Sequence, residues 1–129
     1  MNDEELNKLV EAWVKATNAE EGSSIHEDTA WASIKVISFT LGETGGPDLL
    51  WRFVLATYQR KDLSDLTFGT LAAVPLEDLL SKFGAAYIDR IEELARKDPK
   101  FNHLLGGVWQ LTTPDEIWKR VEKARLKSW

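Results

Sequence analysis

Apolar residues recur at three- and four-residue spacing along most of the chain, and no stretch alternates as a half-buried strand would. Leu6, Leu9, Val10, Trp13 and Val14 fall on one face and predict a first helix over Asp3–Thr17. The polar stretch Asn18–Ser24, with its glycine, reads as a loop. A second helix is expected from Asp28, whose carboxylate can cap the amides of Thr29 to Trp31. From Ala30 to Leu41 only Ser33, Lys35, Ser38 and Thr40 are polar. A helix apolar on nearly every side belongs in the middle of a domain. Gly42, Gly45 and Gly46 end it, and Pro47 sits in the first turn of a third helix carrying Leu49, Leu50, Phe53, Val54, Thr57 and Tyr58.

Asp62–Ala73 reads as a helix through Leu63, Leu66 and Leu71, although Thr67, Phe68 and Gly69 weaken the pattern. Pro75 is expected to open the next helix, with Glu77 and Asp78 in its first turn and Leu76, Leu79, Leu80 and Phe83 inward. A break or kink is expected at Gly84, after which Tyr87, Ile88, Ile91, Leu94 and Ala95 resume the stripe. Asp98-Pro99 marks another cap and start, and Thr113-Pro114-Asp115-Glu116 reads as a capping box that launches the last helix. The run Ile34–Leu41 would also suit a buried strand, but its helical flanks oppose that. The fold class is therefore all-α: one domain over residues 1–129, about six to seven helices, in stacked antiparallel hairpins or an irregular bundle. No fixed-period repeat argues for a solenoid.

Composition supports a folded core, with 43% hydrophobic and 29% charged residues in 129. The absence of cysteine excludes disulfides, thiolate metal sites and cysteine catalysis. The opening Asp3-Glu4-Glu5 does not resemble a signal peptide and no apolar run is long enough to span a membrane, so the expected location is cytoplasmic, with no membrane partner. The net charge of -5 is unevenly placed: residues 1–50 hold ten acids and three bases, whereas the remainder is mildly basic. Such a first part disfavours nucleic acid and favours a basic protein partner. Much of it would equally serve as a solvated helix face. The basic run Lys119, Arg120, Lys123, Arg125, Lys127 is accounted for by the negative end of the last helix.

Catalytic signals are sparse. His26 lies beside Glu27 and Asp28, and His103 lies after Pro99; neither has a histidine or cysteine at ligand spacing, so no metal site is expected. The glycines at 42, 45 and 46 lack the following Lys-Ser/Thr of a phosphate loop, there is no GxSxG elbow, and no cofactor is expected. Glu77 and Asp78 have the chemistry of general acid–base groups, but two acids in a first turn more commonly stabilise the helix. Of six tryptophans, Trp13, Trp31, Trp51 and Trp109 fall on apolar stripes and are assigned to the core. Trp118 lies off the Ile117–Val121 line, at a groove edge, and Trp129 is expected at the surface; both are interface candidates.

Pro75-Leu76-Glu77-Asp78-Leu79-Leu80, Phe83-Gly84, Tyr87-Ile88-Asp89 with Ile91-Glu92 and Ala95, Asp98-Pro99, Phe101, Leu104-Leu105, Val108-Trp109 and Ile117-Trp118, with Ala30-Trp31 upstream, resemble a bacterial family of small all-helical proteins of unknown function. The resemblance covers roughly residues 28–121. It implies an all-α fold and transfers no activity, cofactor or catalytic residue. Small acidic families of this kind often serve as immunity proteins beside secreted toxins. The functional expectation is a non-enzymatic protein-binding module, in its finest form an immunity-type inhibitor of a basic toxin, with Glu20, Glu21, Glu27 and Asp28 as candidate contacts. The alternatives are a small enzyme or ligand-binding protein using Glu77 and Asp78 in a tryptophan-lined cleft, and a self-associating helical scaffold.

Overall fold

The computed structural model describes residues 1–129 and contains helices and turns without strands. The helices are α1 (Asp3–Asn18), α2 (Ser24–Ser38), α3 (Gly46–Tyr58), α4 (Asp65–Leu71), α5 (Glu77–Lys97), α6 (Pro99–Leu105) and α7 (Asp115–Ala124). A π-helical turn, Ala72–Leu76, fuses α4 to α5.

The first helix begins with a capping box: the Asn2 side chain accepts from the Glu5 N–H, and the Glu5 carboxylate accepts from the Asn2 N–H. Its stripe Leu6, Leu9, Val10, Trp13 and Val14 is buried as expected. The second helix starts four residues before the expected Asp28 cap. Ser23 is the cap, its hydroxyl accepting from the His26 N–H at 3.2 Å, so His26, Glu27 and Asp28 lie on the helix itself.

The largest departure concerns the middle of the domain. Although α2 is apolar nearly all round, it packs along α1 and buries only Ala32 and Val36, with Phe39 following in the next turn. The central position falls to α3, which buries Leu50, Phe53, Val54, Thr57 and Tyr58 against α1, α4, α5 and α6. Phe53 meets Trp13 edge-on at 5.3 Å, and Phe101 of α6 is gripped edge-on by Tyr58 at 5.3 Å and Trp51 at 5.9 Å. The Gly42–Gly46 turn makes this possible. Gly45 takes φ 71 as the cap of α3, and the Gly46 backbone lies so close to the Phe39 carbonyl that any side chain would collide with it.

Downstream, the expected helix in 62–73 exists as α4, capped by the Ser64 hydroxyl on the Thr67 N–H. Pro75 does not open a helix. It sits inside the π-turn, where the widened backbone accommodates a residue that lacks an N–H and would clash in a regular helix. The bend expected at Gly84 falls one residue earlier: Phe83 has φ -135 and ψ 21, and the helix continues through it to Lys97. Gly84 is no left-handed cap. It is a buried contact point, where a Cβ would stand 2.9 Å from the Ile117 side chain of α7. The Asp98 cap and Pro99 start of α6 are as expected, with Asp98 accepting from the Lys100 N–H. The capping box before α7 does not form. Pro114 itself is the cap, and the Thr113 hydroxyl pairs with Ser81 at 3.2 Å instead.

Candidate functional site

Glu20, Glu21, Glu27 and Asp28 come together around the start of α2: the first two in the α1–α2 turn, the others in its first turns. All four are exposed and none forms an ion pair, although nine ion pairs decorate the rest of the surface. The face of α2 that points away from α1 continues from these acids as an apolar stripe. Trp31 is 51% exposed, Ile34 70%, Ile37 45% and Leu41, in the following turn, 68%. Glu27 and Ile34 are spaced by seven on α2, so a carboxylate and an aliphatic side chain stand in one line, and Leu41 follows in the turn beyond Ser38. The far end of the stripe is closed. Lys35 pairs with Glu43 at 3.0 Å, and Lys82 donates to the Thr40 hydroxyl at 3.2 Å.

Trp31 and Trp109 therefore leave the core to which the apolar pattern assigned them, whereas Trp13 is buried and Trp51 half-buried. Periodicity identifies apolar positions but not which helix face receives a neighbour. The unpaired state of the four acids was likewise invisible in the sequence. It becomes apparent only once every lysine and arginine has a position.

Glu77, Trp118 and Trp129 meet at a second place, around the turn Gly106–Gln110. Glu77 is 7% exposed, and its Oε1 accepts from the Trp109 N–H at 2.9 Å. Burial raises its pKa above the ordinary glutamate value, the Trp109 N–H opposes the rise, and Asp78 adds a smaller push. Asp78 is half-buried and also raised by burial, with Lys82 pulling the other way. Neighbours on a helix diverge by about 100°, so the two carboxylates do not converge on one reacting atom. Because α4 and the π-turn precede them, they do not sit at a free helix start either. Glu77 instead fixes the loop that precedes α7.

Above that loop lies an open groove of about 250 Å³ lined by Val108, Trp109, Gln110, Trp118, Arg125 and Trp129. Two of its polar side chains, Arg125 and Gln110, are already engaged. Arg125 lies over the Trp118 ring at 4.8 Å and donates to the Val108 carbonyl, and Gln110 donates to the Thr113 carbonyl and Asp115. Trp129 is half-exposed as expected, yet firmly seated. Its ring stacks on His103, which stacks in turn on Phe68, and its Nε1 donates to the His103 carbonyl at 2.6 Å. Of the basic run, Arg120 bonds to Glu92 and Asp89 on α5 and Arg125 acts beyond α7; only Lys123 occupies the last turn as the dipole reading expected. A cavity of about 520 Å³ opens between α5, α6 and α7 with Glu92, Arg96 and Lys123 of mixed charge around it. No three carboxylate or imidazole side chains converge as metal ligands, and no helix is long and apolar enough to cross a membrane.

The profile of a family described as Family of unknown function (DUF6869) matches residues 10–129, and the chain belongs to that family. Membership in a family of unknown function was the coarse content of the resemblance drawn from the motifs. No characterised protein and no solved structure matches the chain.

Proposed function

We propose that this member of a family of unknown function is a protein-binding module whose partner is basic. The observation that carries the reading is the outer face of α2, where four unpaired carboxylates adjoin an uncovered apolar stripe. Isolated exposed leucines are ordinary, but a contiguous stripe on one helix flanked by uncompensated charge is the composition of an interface. The acids steer a positive surface inward, and the apolar side chains hold it. The finer form is an immunity-type inhibitor: a small acidic body that covers the cleft of a basic toxin within the cytoplasm.

An enzyme built on Glu77 and Asp78 fits less well, because Glu77 is engaged by a backbone N–H and adjacent residues on a helix diverge by about 100°. Co-purification from the native host, at low and at high salt, tests the main reading. A basic protein should accompany the native chain at low salt and be lost from the Glu20→Gln/Glu21→Gln/Glu27→Gln/Asp28→Asn variant. Failure to recover any basic protein at low salt would remove the reading.

A further inference from the structure

We infer that the occupant of α2 is an amphipathic helix of about four turns, with its positive charges gathered at one end and laid over the α1–α2 turn. The inference rests on the protein-binding reading and specifies its partner. From Glu27 to Ser38 the helical part of the stripe spans about 17 Å at the helical rise, and Leu41 in the following turn extends it to the reach of a facing helix of about four turns. Its side chains lie on a helix surface whose backbone bonds are already closed, so it offers no edge for an added strand, and a helix laid alongside matches its spacing. Charge is polarised along it. Glu20, Glu21, Glu27 and Asp28 are unpaired at one end, whereas Lys35–Glu43 and Lys82–Thr40 close the other.

That polarity disfavours a second copy of the chain. Two α2 faces packed parallel would set acids against acids. Packed antiparallel, each acidic end would meet a Lys35 already neutralised by Glu43. It also disfavours an anionic lipid surface. A foreign helix with apolar residues at three- and four-residue spacing and lysines or arginines at one end satisfies both halves of the surface.

The test uses the full chain and two synthetic sixteen-residue amphipathic peptides with the same leucine stripe, one ending in four lysines and one in four glutamates, titrated calorimetrically at low and high salt. The lysine peptide should bind and the glutamate peptide should not. Ile34→Glu should weaken binding by about tenfold or more, and the four-amide variant should weaken it and flatten the salt dependence. Circular dichroism should show both variants folded, since all five positions are exposed. If Ile34→Glu binds the peptide as the native chain does, α2 is not the seat and the inference falls. If neither peptide binds but a basic protein still copurifies, the inference falls and the protein-binding reading stands. If neither happens, both fall. Self-association abolished by Ile34→Glu would give the face to a second copy and overturn the inference.

Discussion

Both tyrosines of the chain are buried rings whose hydroxyls reach out to partly exposed carboxylates. Tyr58 donates to Asp98 at 2.7 Å and Tyr87 donates to Asp48; burial first, then the carboxylate, pushes each phenol up to about 12. A spectrophotometric titration should therefore show no tyrosinate step at the ordinary value of 10.0 while the chain is folded. A step there would mean that at least one of the two pairs does not exist in solution. Glu77 gives the opposite kind of test. An acid whose pKa is raised by folding binds its proton more tightly in the folded chain, so its contribution becomes more favourable as pH falls from the raised value towards 4.5. Glu77→Gln keeps an acceptor for the Trp109 N–H and removes the buried charge. It should raise the melting temperature at pH 7, by about 1 kcal/mol in stability, with the advantage shrinking in acid. A lower melting temperature at pH 7 would show that the charge itself holds the loop. At Gly84 the added methyl of alanine meets Ile117 at 2.9 Å. Gly84→Ala should cost about 1 kcal/mol or more through displacement of α7, despite the better helix propensity of alanine, and the same change should cost less in an Ile117→Ala background, where the opposing γ-methyl is gone.

At the scale of elements, end signals were legible where a side chain bonds its own helix and illegible where tertiary structure decides. Asp98-Pro99 reads correctly because the cap is local. Thr113 looks like a cap too, but Ser81 on α5 claims its hydroxyl. Pro75 resembles a helix start, yet the π-turn passes through it because Leu71, Ala72 and Leu76 on either side are all buried and hold the two helices in line. The exchange of roles between α2 and α3 has the same origin: both are rich in apolar residues, but α3 packs against α1, α4, α5 and α6, whereas α2 packs chiefly along α1. The difference is measurable. Ile34→Lys on the open face of α2 should change stability by no more than about 0.5 kcal/mol, whereas Leu50→Ala on α3 should cost about 2–5 kcal/mol. Comparable losses from the two would mean that α2 is covered in the free protein. The acidic half of the candidate surface was visible in the sequence as composition; its apolar half was hidden, because the same residues were read as core.

The molecule as a whole is closed by the segment after α7. Asn102, buried in α6, donates to the carbonyls of Ala95 and Ala124 and accepts from the Leu126 N–H, so one amide ties α5, α6 and the segment after α7 together. Asn102→Ala should leave three backbone groups unpartnered and cost about 2 kcal/mol or more. An unchanged urea midpoint would show that water replaces the amide. Beyond that clamp the Trp129 N–H bonds the Gly106 carbonyl, and the Trp129 ring rests on Gly107, where a Cβ would lie only 2.6 Å from it. Those two positions are separated by the loop before α7, the whole of α7 and the segment after it, yet neither can change alone. A side chain at 107 expels the ring, and a smaller residue at 129 leaves bare backbone beneath it. Across the family, then, the two sites should be inherited as a pair, with glycine accompanying tryptophan and bulkier residues at 107 appearing only in members whose counterpart of 129 has shrunk. Ancestry, in this corner of the fold, should keep a record of a contact that no periodicity discloses.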